Sequence, residues 1–329
     1  MNNSGRKIFP AADRSVRLEG MSREDWLVAR RAGIGGSDAA AIVGLNPWSS
    51  QYDVWLDKTG RTEPKEQNLS MRIGVELEET VARLWCAETG KECHRSGFMF
   101  SNNERDWMLA NVDRVVVGEN AGLECKTTAS LSNIRKLATG DFPDAYYAQC
   151  MHYMAVTGAD RWYLAVLELG CSPKFHCFVM ERDEAAEHEM KALIDMEREF
   201  WERHVLKGEP PAPSGTEATE EYIKEQYPRA ENDEPVGLYG LENDIADYLS
   251  IKAHIKTEQK TADALEQKIK LQLGEASTGL AQGYTVSWKS YSRSGGVDTK
   301  RLAAEYPDAF EACKQPDTSY RKFAIKEAK

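Results

Sequence analysis

The order of predicted elements between residues 71 and 206 most constrains the fold. Apolar residues recur at helical spacing from 71 to 89, and Gly90 ends that predicted helix. Short β-like runs follow as far as Lys126, then a helix over 144–157, two strands, and a long amphipathic helix over 183–206. This succession predicts an α/β (α+β) fold with a mixed central β-sheet flanked by helices.

A Pro/Gly-rich segment divides the chain. Residues 207–215 read KGEPPAPSG, which is typical of a linker, and an acidic polar stretch follows. We therefore predict a core domain over 1–210 and a C-terminal extension over 211–329, with a boundary near 230 as the alternative. The extension should hold one long helix over 241–273 and a small α/β tail, including a helix over 300–313 and a strand-like segment over 320–325.

Composition narrows the class of protein. A hydrophobic content of 41% and a charged content of 29% are typical of a soluble chain with a real core. No apolar run is long enough to cross a membrane, and the polar N-terminus lacks a signal-peptide core, so we expect a cytoplasmic protein. The seven cysteines form no C-x-x-C pair, which favours reduced thiols over disulfides or structural zinc.

The spacing of two charged residues, Glu124 and Lys126, indicates a candidate catalytic site. Glu124 and Lys126 are two residues apart in a predicted strand and so share a face, and Asp113 lies across a predicted hairpin over 118–121. Two carboxylates and an ammonium group can hold a divalent metal ion beside a phosphodiester, with the Cys125 carbonyl as a further ligand. Taken alone, Glu-x-Lys is far more typical of a surface ion pair on a solvated strand edge, and Asp113 eleven residues upstream makes the two interpretations about equal.

Two helical residues are candidates to complete this site. Glu78 lies near the apolar side of the 71–89 helix, where a carboxylate needs a partner such as a metal ion. Gln149, on the helix after the Glu-x-Lys strand, is placed to orient a water molecule or a phosphate. The alternatives are a solvated acidic face for Glu78 and a solvent-facing side chain for Gln149.

A glycine-rich turn provides a candidate phosphate site. Residues 33–37 read GIGGS before a predicted helix, and Arg30 precedes them. Free N–H groups, the Ser37 hydroxyl and the Arg30 guanidinium all suit a phosphate. The turn is not a P-loop, because G-K-[ST] is missing. A plain capped turn is the alternative.

Together these short motifs carry a family resemblance. In chain order they are WLVAR (26–30), GIGGSD (33–38), GLNPW (44–48), GVELEE (74–79), ANVD (110–113), GLECK (122–126) and YAQ (147–149). The chain resembles the YqaJ-like viral recombinases and their λ-type phage alkaline exonuclease relatives, within the PD-(D/E)XK nuclease superfamily. The resemblance covers about residues 20–200.

The resemblance implies roles for particular residues. It makes Lys126 the catalytic lysine, Gln149 a supporting residue, and Arg30 and Ser37 contacts of a DNA 5′ phosphate. The metal ions would be held by Glu78, Asp113, Glu124 and the Cys125 carbonyl. Relatives place a further phosphate-binding Arg six residues after the lysine, where this chain has Ser132; Arg135 or Lys136 is the candidate replacement.

The resemblance also implies an activity. It is a Mg²⁺-dependent, processive 5′-to-3′ exonuclease with one or two ions per site (Mn²⁺ substituting), digesting linear double-stranded DNA to leave 3′ single strands. The expected partners are a single-strand annealing protein and two further copies of the chain in a ring-shaped homotrimer. The expected location is the cytoplasm of a bacterial host that carries the phage or prophage. A ring would reconcile a net charge of −11 with DNA binding. A structure-specific endonuclease or nickase, or a non-catalytic DNA-binding protein, are the alternatives.

Overall fold

The computed structural model describes residues 8–62, 68–231, 234–292, 295–315 and 320–326. They form two compact units, Met1–Gln226 and Tyr227–Lys329. The first unit ends between the two boundaries predicted from sequence, near 210 and 230, because helix α8 (Glu217–Gln226) belongs to it. Tyr222 of α8 packs edge-on against Tyr52 and Trp55 with ring centroids 6.3 and 6.2 Å away.

The first unit mixes helices and strands along the chain. Its strands are β1 (Ala12–Arg17), β2 (Cys93–His94), β3 (Phe98–Asn102), β4 (Leu109–Asn111), β5 (Arg114–Val116), β6 (Ala121–Thr128), β7 (Arg161–Glu168) and β8 (Lys174–Glu181). Its other helices are α1 (Arg23–Arg31), α2 (Gly36–Ile42), α3 (Gln51–Lys58), α4 (Leu69–Thr89), α5 (Leu131–Thr139), α6 (Asp144–Thr157) and α7 (Glu184–Glu199), which continues as a π-helix over Phe200–Leu206.

The main sheet is mixed, as predicted. Its five strands lie in the order β2-β5-β6-β7-β8. The β6–β7 pair is parallel, with Glu124 beside Leu164, and the other pairs are antiparallel. Parallel neighbours need a long crossover, which α5 and α6 provide.

A second sheet was not predicted. The β-like runs predicted before Lys126 do not all enter the main sheet, because β3 and β4 form a separate sheet ordered β1-β3-β4. The unpredicted strand β1 supplies the partner, since Ala12 pairs with Asn102. This pairing is remote in sequence and leaves no local signal.

Both faces of the main sheet are covered by helices. Leu123 of β6 and Tyr163 of β7 pack in one apolar cluster with Trp85 of α4. Leu164, the next residue of β7, packs on the opposite face with Met154 of α6. Because successive strand side chains alternate between faces, Glu124 and Lys126 lie on the α6 side.

The second unit contains α9 (Glu242–Leu273), the hairpin β9 (Thr278–Ala281) and β10 (Tyr284–Ser287), and the helices α10 (Thr299–Glu305) and α11 (Pro307–Cys313). The single helix predicted over 300–313 is wrong, because Pro307 disfavours helical geometry at Tyr306, whose φ is −137°. The described residues 320–326 form no strand, although Phe323 packs edge-on against Tyr248. In the described chain no helix is long and apolar enough to span a membrane.

Candidate active site

Strand β6 presents the Glu-x-Lys pair from the centre of the main sheet. Gly122 precedes the pair on the same face, and the Trp162 ring covers it so closely that a Cβ there would lie 2.3 Å from the indole. A larger residue at position 122 would displace the indole, so glycine allows the Trp162 ring to lie directly over the backbone of β6. Two residues later the same face carries Glu124, which is buried, and then Lys126, which is partly exposed.

Asp113 reaches this face from the bend between β4 and β5. Arg114 pairs with Leu123 across the antiparallel β5–β6 hairpin, and this register brings Asp113, the residue before Arg114, beside Glu124. The Cys125 backbone N–H donates to Asp113 Oδ2 at 2.8 Å. The predicted convergence of Asp113 on the Glu-x-Lys strand is therefore present.

Helix α6 delivers Gln149 to the same place. Lys126 Nζ lies 2.6 Å from Glu124 Oε1, and Gln149 Nε2 donates to that oxygen at 2.6 Å. Gln149 also donates to the Tyr153 hydroxyl at 3.0 Å. The second carboxylate oxygen, Glu124 Oε2, is buried and has no hydrogen-bond partner within the described part of the chain.

The electrostatics of the cluster disfavour a second negative charge beside Glu124. Burial and the charge of Glu124 raise the pKa of Asp113 well above its ordinary value. Burial lowers the pKa of Lys126, but Glu124 and Asp113 outweigh it, so the net shift is upward. A single ammonium group therefore faces two carboxylates in a region of low dielectric.

These residues fit a divalent cation of the magnesium type. In the described chain no three His, Cys, Asp or Glu side chains stand together as a ready-made metal cluster. Mg²⁺, however, commonly uses one or two carboxylates and completes its shell with water and substrate phosphate. Asp113 and Glu124 supply the carboxylates, and the buried, unpartnered Glu124 Oε2 is the kind of atom that such a cation would satisfy.

Glu78 is close enough for its charge to contribute to the raised pKa of Asp113, but its direct partners are arginines. Its Oε1 accepts a hydrogen bond from Arg114 Nη1 and lies 3.5 Å from Arg95, while Arg114 Nη2 donates to Glu79 at 2.9 Å. Arg114 is almost fully buried and needs these counter-charges. Glu78 and Asp113 nevertheless line one cleft of about 610 Å³. A ligand role for Glu78 stays a prediction.

The predicted phosphate residues also converge. Arg30 Nη2 donates to the exposed Ser37 hydroxyl at 2.8 Å and to Asp38 at 2.9 Å. This pair lies beside the carboxylate cluster, because Gly36 packs against α6: a Cβ there would lie 2.7 Å from the Tyr153 ring and 2.9 Å from Gln149 Cγ.

Arg135 is not part of this arrangement. It is exposed on α5, and none of the described residues forms a hydrogen bond or ion pair with its side chain. Lys136 pairs with Asp144, and Ser132 contacts Ser130 at 2.9 Å. A phosphate role for Arg135 stays a prediction.

Four residues near the site were not singled out from the sequence: Asp38, Lys58, Arg114 and Tyr153. Tyr153 had a local signal, since it is four residues after Gln149 on the same helical face. Nothing near Lys58 in sequence marks it as a partner of Asp38, which it contacts at 2.7 Å.

Comparisons with solved structures find low similarity over 56% of the chain. LHK-Exo in complex with dAMP is 20% identical, with a TM-score of 0.44, covering 56% of this chain and 98% of that one. A second structure of LHK-Exo, an alkaline exonuclease from Laribacter hongkongensis, is 23% identical with a TM-score of 0.42, covering 56% of this chain and 100% of that one.

Comparisons of the amino-acid sequence with known proteins find higher similarity than the comparisons of structure. Residues 25–160 match the model of the YqaJ-like viral recombinase domain. Over 315 residues the chain is 40% identical to the uncharacterized protein YqaJ of Bacillus subtilis (strain 168), covering 93% of this chain and 95% of that protein. The predicted resemblance is thereby confirmed, and this chain belongs to the YqaJ-like viral recombinase family.

Proposed function

We propose that this protein is a Mg²⁺-dependent nuclease that digests linear double-stranded DNA from its 5′ ends and leaves 3′ single strands for recombination by annealing. The observation that carries the proposal is the meeting of Asp113, Glu124, Lys126 and Gln149 around a buried carboxylate oxygen without a partner. Membership of a viral recombinase family agrees with it.

The proposed metal ions would be held by Asp113, Glu124 and the Cys125 carbonyl, with Glu78 as a further candidate and Mn²⁺ as a substitute. When bound, one or two such ions would supply positive charge to the phosphoryl group and make a water molecule more acidic. That is the chemistry that phosphodiester hydrolysis requires.

The protein residues have separate tasks in this proposal. The Lys126 ammonium, 2.6 Å from Glu124, is placed to donate to a phosphoryl oxygen and to stabilise the charge that develops during cleavage. Gln149 holds the Glu124 carboxylate, and Tyr153 accepts the second hydrogen bond of that amide. The Cys125 N–H holds Asp113 in the same way.

Recognition of the 5′ end is assigned to Arg30 and Ser37, with Arg135 as an outlying candidate. A guanidinium and a hydroxyl 2.8 Å apart are suited to bind a terminal phosphate. Gly36 connects this pair to the side chains that hold Glu124, so a bound 5′ phosphate would set the distance to the bond that is cut. This arrangement supports cleavage from the 5′ end.

The proposal extends to assembly and partners. A net charge of −11 is unfavourable for a tight electrostatic grip on DNA. A ring-shaped homotrimer around the duplex would provide processivity by enclosure instead. A single-strand annealing protein would take the 3′ strand, and the reaction would take place in the cytoplasm of a bacterial host that carries the phage or prophage.

The test compares two DNA forms. Linear duplex with 5′ phosphates and the same DNA as a covalently closed circle are incubated with Mg²⁺ or with EDTA. We expect loss of the linear form alone, with Mg²⁺ alone, and 3′ single strands as the product. Nicked or cut circles would instead indicate an endonuclease or nickase. Two intact DNAs would indicate a non-catalytic DNA-binding protein.

A further inference from the structure

A buried charge pair lies behind the predicted phosphate site. The Asp38 side chain is 8% exposed and the Lys58 side chain is fully buried, and Lys58 Nζ lies 2.7 Å from Asp38 Oδ2. The same oxygen accepts the Gly35 N–H at 3.0 Å, while Asp38 Oδ1 accepts from Arg30 Nη2 at 2.9 Å. Lys58 Nζ also donates to the Arg30 carbonyl at 3.0 Å.

This network holds Arg30 at two points. Asp38 contacts its guanidinium, and Lys58 contacts its backbone. The Arg30 side chain keeps 31% exposure, so it is the member of the network that a ligand can reach. Only Nη2 is engaged by Asp38 and Ser37, and a guanidinium has five N–H donors.

The charge balance suits an anion. Burial alone would raise the pKa of Asp38, but Lys58 and Arg30 lower it far below its ordinary value, so Asp38 is ionised. Arg30 and Lys58 carry two positive charges against the one negative charge of Asp38, and the nearby Asp57 is balanced by Arg31, so a net positive charge remains at Arg30. Without Lys58, Asp38 would neutralise Arg30; without Asp38, the two cations would repel each other.

Stability alone is a weak reason for such a pair, because burying two charges costs nearly as much as their attraction returns. We propose that Asp38 and Lys58 are positioning residues that hold Arg30 and Ser37 in the geometry that distinguishes a 5′-phosphorylated DNA end from a 5′-hydroxyl end. This inference rests on the proposed function and names the residues that set its end specificity.

The test measures binding separately from cleavage. Two blunt duplexes of one sequence, with 5′ phosphates or with 5′ hydroxyls, are titrated in EDTA by fluorescence anisotropy. The parent protein should bind the phosphorylated duplex more tightly. Asp38→Asn and Lys58→Met should each lower this preference roughly tenfold, the range of one charge-assisted hydrogen bond.

Asp57→Asn is the matched control. Asp57 is nearby and carries the same charge, but it pairs with Arg31 at 3.1 Å. The Asp57 charge acts on Arg30 only at a distance and without a hydrogen bond, so its substitution should change the preference far less than Asp38→Asn does. A purely structural role for Asp38 and Lys58 would weaken binding of both duplexes equally, so the ratio of the two affinities separates the explanations.

Asp38→Asn leaves the buried Lys58 ammonium without its counter-charge, and Lys58→Met removes one of the two cations that Asp38 contacts, so folding of each variant is checked by circular dichroism. The double variant Asp38→Asn/Lys58→Met removes both charges and serves where a single variant does not fold. A preference retained in folded variants would overturn the positioning role and leave the phosphate site standing. A parent protein without any preference would overturn the site itself, and this inference with it.

Discussion

Gly36 allows the sharpest test of how the two halves of the site are joined. It is the first residue of α2, and its backbone is one that alanine adopts readily. The obstacle is space, because a Cβ would lie 2.7 Å from two atoms of the Tyr153 ring and 2.9 Å from Gln149 Cγ. Carbon atoms pack at about 3.5–4.0 Å, so α2 and α6 must separate by roughly 0.8 Å in Gly36→Ala.

The expected cost follows from that displacement. Overpacking a core costs about 1–3 kcal/mol, and the helix propensity of alanine returns up to about 1 kcal/mol. A net loss of about 1–2 kcal/mol corresponds to a fall in Tm of roughly 2–8 °C for a unit of this size. Moving Gln149 also moves its hydrogen bond to Glu124, and displacements near 1 Å cost about a hundredfold in rate. We therefore expect cleavage to fall by roughly ten- to a hundredfold.

Gly74→Ala is the control for stability. Gly74 also lies in a helix, but a Cβ there would meet only Thr127 Oγ1, at an ordinary 3.8 Å. Its Tm should stay level or rise by the helix propensity of alanine. Tm is read by circular dichroism, and cleavage by the loss of linear duplex. If Gly36→Ala melted at or above the parent temperature and cut at the parent rate, the packing of α2 on Gln149 would not be what positions Glu124.

Three further outcomes are expected. Lys126→Met should abolish cleavage of linear duplex, while DNA binding in a gel-shift assay persists. Lys174→Met makes the same change at an exposed end of β8, and this control variant should cut normally. Cleavage by the Lys126 variant would exclude a catalytic role for Lys126. Asp113→Asn should lose both cleavage and calorimetric Mn²⁺ binding, and unchanged Mn²⁺ affinity would remove Asp113 from the metal site. Burial lowers the pKa of His152, but Glu197, 2.7 Å away, outweighs it, so the net shift is above the ordinary value of about 6.5. The ion pair between His152 and Glu197 therefore stabilises the fold fully below that pH, and this contribution is lost as the pH rises through the raised pKa. The Tm difference between the parent and His152→Asn should therefore shrink above neutral pH, and a gap that widened would contradict this.

Local patterns were sufficient for the helix that carries Gln149. The helix predicted over 144–157 is found with those bounds, and Gly158 ends it with a φ of 69°. Period-two alternation likewise placed Glu124 and Lys126 on one face of β6. Both predictions depend on the residues of a single element.

Partners remote in sequence were not predictable in this way. Lys58 contacts Asp38 because α3 packs against α2, and no local sequence pattern at either residue predicts the contact. Glu78 was predicted as a metal ligand from its place on α4, and the structure adds a partner for its carboxylate in Arg114, which the alternation of β5 turns towards α4. The sequence showed the acidic residue and could not show which positive charge lies nearest to it.

The amino-acid sequence by itself therefore determined the helices α4 and α6 beside the site, the mixed character of the main sheet and the chemical type of the central residues, since periodicity, glycine stops and two-residue spacing are local properties. Only the tertiary structure decided that α6 brings Gln149 to Glu124, that Gly36 brings Arg30 and Ser37 beside them, and that Glu78 faces Arg114. Those contacts depend on the path of the chain between elements, where many arrangements satisfy the same local pattern and packing selects one.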